Sequence, residues 1–269
     1  MKTNRVLEKL RKNEAVCMAC PTPYVSPKLI EMIGLIGFDG IWIDMEHQDY
    51  SFDQVFNMGL ACRATDMEPL VRIRKGPYWS YFRCFEAGAT GIMVPHCCTV
   101  EEAQTIVQNS RFHPVGSRGM DGVEVPASYG MEPMTEYMAA ANREGLVSIQ
   151  IEDREAVEAI DDLLAVEGID GVMIGPADLT QSYGIPTQMD HTLITEAVDR
   201  VARSCAQHGK WWGIPVGSPD AARSYYDKGA RFFVCGAAII LLQQGYSKIW
   251  NEFTSIFRSV PPPGRSGPI

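Results

Sequence analysis

Gly40-Ile41-Trp42-Ile43-Asp44-Met45-Glu46-His47 is a short β-like run that passes directly into acidic and ionisable residues. A β-branched and aromatic stretch of this length fits a strand, and the pattern repeats along the chain. Similar runs occupy Ala15–Ala19, Glu68–Ile73, Gly91–Val94, Val147–Ile151, Gly171–Ile174, Trp211–Val216 and Phe232–Cys235. Between them lie segments with helical spacing, among them Phe52–Ala64, Val100–Gln108, Arg154–Val166 and Leu193–His208, many followed by a glycine that stops a helix. Alternating strands and helices imply parallel strands joined by helical crossovers, and eight such units in about 250 residues match the size of a (β/α)8 TIM barrel. A doubly wound open sheet is the competing arrangement, but no G-x-G-x-x-G follows the first strand to anchor it. The expected organisation is a single barrel domain over 1–258 with a long loop at 112–142, where glycines, prolines and methionines show little periodicity. Residues 259–269 include the Pro/Gly-rich tail PPPGRSGPI and are expected to be disordered.

The 269 residues are 46% hydrophobic and 21% charged, which suits one large globular domain. The longest apolar run, around Phe232 to Leu242, is broken by Cys235 and Gly236 and falls short of the ~20 residues a membrane span needs. The N-terminal MKTNRVLEKLRKNE is charged and helical, without the apolar core of a secretory signal, so a cytoplasmic location is expected. A net charge of −9 argues against nucleic acid as a partner and for small-molecule chemistry. Eight cysteines sit mostly inside apolar patterns, where a thiol acts as a small hydrophobe. Cys17 and Cys20 form a C-x-x-C, but no second pair of that spacing completes a zinc site.

In a barrel of this kind the chemistry sits at the C-terminal ends of the strands. Strand two ends in Asp44-Met-Glu46-His47, strand three in Arg72-Ile-Arg74, strand five in Gln150-Ile-Glu152, and strand six runs into Gly175-Pro176-Ala177-Asp178. Glu152 and Asp178 offer hard oxygen ligands from different strands, which suits Mg²⁺ or Mn²⁺, with Co²⁺ or Zn²⁺ able to substitute. The competing explanation is that such carboxylates merely cap the helices that follow, as Asp178 before Leu179 or Asp153 before Arg154 could.

Taken together, Asp44-Met-Glu46-His47, Pro69-Leu-Val-Arg72, Pro114-Val-Gly116-Ser-Arg118-Gly119, Gln150-Ile-Glu152 and Gly175-Pro-Ala-Asp178-Leu179 resemble the HpcH/HpaI family of class II pyruvate aldolases, over about Ala15 to Ile249. Five motifs in the right order are specific where any one alone would be weak. The resemblance implies a barrel of the phosphoenolpyruvate/pyruvate type in which Glu152 and Asp178 bind the metal and pyruvate chelates it through carboxylate and keto oxygens. Arg72 would contact the keto oxygen, with Gln150, Gly175, Pro176, Ala177 and Asp178 lining the substrate. It also implies a last helix packed against a neighbouring subunit, in a homo-oligomer that is commonly a hexamer. The chain departs from the family pattern at Met45, where glycine is frequent, at Glu86, where aspartate is frequent, and at His96-Cys97-Cys98, where apolar residues are usual.

The chemistry expected is reversible cleavage of a 4-hydroxy-2-oxo acid to pyruvate and an aldehyde. Removing a proton from the methyl group of pyruvate requires the resulting enolate to be stabilised, and a divalent cation on the keto oxygen does this as a Lewis acid. Arg72 adds a fixed positive group. His47 is the expected proton shuttle, with Asp44 or Glu86 to orient its imidazole; the alternative is a surface histidine at the start of a loop. His96 could line the pocket or pack beneath the next helix, and Arg118 could bind a carboxylate of a second substrate or of a neighbouring chain. Trp211-Trp212 begins strand seven, at the stability face. Two other functions fit the same residues: a metal-enolate lyase or decarboxylase of 2-oxo acids or acyl-thioesters, and a non-catalytic 2-oxo-acid-binding barrel. A Schiff-base aldolase is disfavoured, because Lys75 lies beyond Arg72 and Lys210 precedes strand seven.

Overall fold

A computed structural model describes residues 2–24 and 26–257. Eight parallel strands close on themselves in sequence order: β1 Val16–Cys20, β2 Gly40–Asp44, β3 Glu68–Arg72, β4 Gly91–Val94, β5 Leu146–Ile151, β6 Gly171–Ile174, β7 Trp211–Val216 and β8 Phe232–Ala237. The circle is completed by β1 against β8, with Val16 opposite Phe232 and Ala19 opposite Cys235. The fold is the expected (β/α)8 barrel, and the strand bounds fall within two residues of those read from the sequence.

Because side chains alternate across a strand, each strand feeds two layers. One set points outward against the helices: Ile41, Ile43, Val71, Ile92, Val147, Ile149, Ile151, Val172 and Ile174 join a single continuous core there. The other set points into the barrel, where Met18, Leu70, Met93, Leu146, Met173, Trp211, Phe232 and Val234 pack together. Trp211 stacks on Phe232 at 5.2 Å, and Gly171 leaves room for its indole, since a Cβ there would lie 2.3 Å from the ring. Trp211 and Trp212 therefore serve packing, one on each side of the barrel wall.

The helix Arg5–Arg11 closes the bottom of the barrel with Val6, Leu7 and Leu10. Asn4 caps it through the Leu7 amide, and its side-chain amide donates to the Thr90 and Glu144 carbonyls at 3.0 Å. At the other end, the inward positions turn polar within two residues: Trp42 gives way to Asp44, Leu70 to Arg72, and Leu146 to Ser148, followed by Gln150 and then Glu152. The apolar plug and the polar mouth are thus written on the same strand faces.

The segment 112–142 carries more regular structure than its composition suggests. It includes a kinked 3-10 segment, Val125–Gly130, broken by left-handed Ser128 and Tyr129, and enters a helix, Met134–Glu144, which buries Tyr137 against Phe112 at 5.5 Å between ring centroids. The helix expected over Arg154–Val166 is divided into Arg154–Glu158 and Ile160–Leu164, with Ala159 (φ −92°, ψ 7°) outside helical geometry. The tail at 259–269 lies outside the described residues.

Candidate active site

Register brings the first pair together. Asp44 and Arg72 are opposite one another across β2 and β3, both buried, and Arg72 donates to both carboxylate oxygens, Nε to Oδ1 at 3.0 Å and Nη2 to Oδ2 at 2.8 Å. Its third nitrogen, Nη1, lies 3.0 Å from Oε2 of Glu46, and the guanidinium rests 4.7 Å from the Trp42 ring centroid. Burial works against the arginine's charge, but Asp44, Glu46 and Glu152 outweigh it and hold the group firmly protonated. The result is a planar cation locked in place at the mouth of the barrel.

Asp44 is fully committed to this arrangement. Its Oδ1 also accepts the backbone amides of Glu46 at 3.0 Å and His47 at 3.3 Å, so it folds the loop after β2 rather than gripping the His47 ring. Glu86, the other carboxylate expected to orient that imidazole, is buried on the short helix Arg83–Glu86 and pairs with Arg83 at 2.7 Å. The acidic group facing His47 is instead Glu46, 3.9 Å from Nε2, and the imidazole is 61% exposed over the mouth. Arg74 pins the same loop from outside, donating to the Met45 carbonyl at 2.7 Å and the Gln48 carbonyl at 3.2 Å.

Glu152 follows directly on β5 and is almost completely buried. Its Oε1 accepts the His96 amide at 3.0 Å, and its Oε2 accepts from the Gln150 side chain. Burial pushes its carboxyl up to about 7, the neighbouring charges of Glu46 and Asp178 add to the rise, and His96 opposes it. Asp178 sits exposed in the first turn of the helix Pro176–Ser182, near enough for its charge to act on Glu152 but apart from the tightest cluster of donors. That cluster is Glu46, His96 and Glu152, whose ligand atoms all lie within 4.8 Å of one another.

Three features of this cluster suit a divalent cation. A carboxylate as deeply buried as Glu152 is faced by two other acids, and the arginine nearby is already held by Asp44 and Glu46. Gln150 is buried with its Oε1 lacking a hydrogen-bond partner. Gly175 keeps the floor open, since a Cβ there would come within 2.5 Å of Glu152 Oε2 and 2.7 Å of Gln150 Nε2.

The roles of Glu46 and His96 in the cluster were not assigned from the sequence. Glu46 was visible only as part of a strand-end motif, and His96 depends on a left-handed backbone (φ 52°) that no local pattern announces. Arg118, by contrast, is removed from the mouth: it is buried among Phe82, Phe85 and Phe112 and hydrogen-bonds Tyr137 at 3.2 Å. Lys75 is held by the His96 carbonyl at 2.8 Å and by Glu102.

The closed parallel barrel gathers carboxylates, an imidazole and a locked guanidinium around one mouth, and relatives named as aldolases mark the chain as a carbon–carbon lyase of the aldolase type. A family model, HpcH/HpaI aldolase/citrate lyase, matches residues 20–243, and the chain belongs to that family. It is 29% identical to a 2-keto-3-deoxy-L-rhamnonate aldolase of Escherichia coli K12, over 99% of this chain and 96% of the relative. A hydroxypyruvate/pyruvate aldolase of Roseobacter denitrificans is 32% identical over 79% of this chain and 82% of its own. Among solved structures, an HpcH/HpaI aldolase from Desulfitobacterium hafniense DCB-2 superposes with a TM-score of 0.86 at 25% identity, covering 94% of this chain and 96% of the other.

Proposed function

We propose that the enzyme reversibly cleaves a 4-hydroxy-2-oxo acid to pyruvate and an aldehyde, with a divalent cation held by Glu152 together with Asp178 and Glu46. The observation that carries this is the convergence of buried Glu152 and locked Arg72 at one barrel mouth, with an unpaired amide oxygen beside them. The names of the two aldolase relatives support the 2-oxo acid class. A bound cation supplies a Lewis acid for the 2-oxo group. Arg72 presents fixed N–H groups toward the oxygen that gains charge as the methyl group loses its proton; being already oriented by Asp44 and Glu46, it costs little reorganisation. His47, exposed at the rim beside Glu46, carries the proton. Gln150 and the turn Gly175-Pro176-Ala177 shape the floor on which the acid lies.

The same reading extends to assembly. The last helix, Ala238–Phe257, buries only Ala238 among its described residues and exposes Ile240, Leu241, Tyr246, Trp250 and Phe253. We propose that it docks on a second copy, as part of a homo-oligomer.

The decisive experiment is proton-to-deuterium exchange at the methyl group of pyruvate, followed by NMR in D₂O with metal-stripped protein and with added Mg²⁺, Mn²⁺ or Co²⁺. Exchange is expected only with metal, lost in Glu152→Ala and sharply reduced in Arg72→Ala. Absence of exchange with every metal, in protein shown to be folded, rules the proposal out without any need to know the aldehyde.

A further inference from the structure

We propose that His96 is a metal ligand through Nε2, oriented by Asp153, and that it moves the cation preference of this mouth from Mg²⁺ toward Mn²⁺, Co²⁺ and Zn²⁺. The proposal rests on the metal site assigned above and adds a nitrogen donor to it.

The geometry comes from three contacts. Nδ1 of His96 lies 2.9 Å from Asp153 Oδ2, a hydrogen-bond distance. Nε2 lies 3.6 Å from Glu46 Oε1, and Nδ1 lies 3.7 Å from Glu152 Oε1, so the ring stands among the carboxylates of the cluster. With the proton on Nδ1 donated to Asp153, the lone pair of Nε2 faces Glu46. This is the carboxylate–histidine pairing that fixes the tautomer and ring angle of a metal-bound imidazole. The position is held by the main chain as well: the His96 amide donates to Glu152, and its carbonyl accepts from Lys75. Apart from the cluster itself, the buried Gln150 brings an amide oxygen with no protein hydrogen-bond partner to the floor of the same mouth, beside Glu152.

Oxygen-only donor sets suit Mg²⁺, which gains little from an imidazole; Mn²⁺, Co²⁺ and Zn²⁺ bind nitrogen progressively better. An added histidine therefore changes selectivity more than it changes the mere ability to bind a cation. Asp153 acts as a positioning residue, reaching the metal only through the ring.

The test uses the full-length protein and metal alone. Electron spin-echo envelope modulation of bound Mn²⁺ should show imidazole ¹⁴N modulation in the wild type. The modulation should persist in His47→Gln, disappear in His96→Gly, which suits the left-handed backbone at that position, and shift in Asp153→Asn. Uniform ¹⁵N-histidine labelling of the wild type should replace the ¹⁴N pattern, a check that needs no variant to fold. By calorimetry, His96→Gly should lose Co²⁺ affinity on the order of tenfold or more, with Mg²⁺ affinity changed less than about threefold. Unchanged modulation and Co²⁺ affinity in folded His96→Gly, or modulation that vanishes with His47→Gln instead, overturns the role of His96 while leaving the metal site standing. A wild type that binds none of these metals overturns both.

Discussion

Arg72 is held by Asp44, Glu46 and the face of Trp42, so its geometry matters as much as its charge. Lysine would keep the charge but cannot form the fork with Asp44. Arg72→Lys is expected to lower the rate of pyruvate methyl exchange by on the order of a hundredfold, measured at saturating metal and pyruvate. Glu152 makes a prediction about pH. Its folded-state carboxyl is raised to about 7 from an ordinary 4.5, so between those values the folded protein keeps a proton that the unfolded chain releases. The metal-free protein is then expected to hold this contribution to stability below about pH 4.5 and to lose it as the pH rises through about 7. Urea midpoints across that range should fall in wild type and be flatter in Glu152→Gln. Residues of this kind were legible in the sequence because a strand fixes both which face a side chain takes and which end of the barrel it reaches. Glu86 was not, since it lies on the helix Arg83–Glu86 away from any strand end, and His96 was legible only as a residue that could line the pocket, since past the end of β4 the path of the chain decides the neighbours. Glu86 turns to Arg83, and the positive φ of His96 carries its ring to Asp153.

Among the elements, the N-terminal helix and the C-terminal helix make opposite commitments. The first is tied into the barrel by Asn4, whose side chain caps Leu7 and reaches the Thr90 and Glu144 carbonyls. Asn4→Ala should cost about 2 kcal/mol in urea unfolding, from the lost cap and the lost hydrogen bond to the buried Glu144 carbonyl, with methyl-exchange kinetics unchanged. The last helix is apolar where it is exposed. Trp250→Glu combined with Phe253→Glu is expected to shift the protein to a smaller species by size-exclusion chromatography with light scattering, while circular dichroism keeps the barrel signature. The strands and the helix Phe52–Ala64 could be read directly, because burial and periodicity agree there. The helix Met134–Glu144 could not: it follows a Gly/Pro-rich approach, and what fixes it is distant, chiefly Tyr137 against Phe112 and Arg118.

At the scale of the molecule, the proposed cation site draws its side chains from four strand ends, Glu46 after β2, His96 after β4, Glu152 after β5 and Asp178 after β6. Binding that favours only the folded state raises its stability by mass action, about 2.7 kcal/mol at a hundredfold excess over Kd. Chelator treatment should therefore lower the thermal midpoint, and Mn²⁺ should restore it in wild type but much less in Glu152→Ala. Barrel closure has a further consequence for biosynthesis. β1 leaves the ribosome before every other strand of the barrel, yet its partner across the seam, β8, emerges after all of them, and their pairing brings Cys17 and Cys235 to 3.4 Å across 218 residues. Until Phe232–Ala237 is released, β1 and β7 each keep an open edge, able to recruit a strand from another nascent chain. A polysome carrying several such half-closed barrels is where misassembly is most exposed, and the last strand is the clasp that ends that interval.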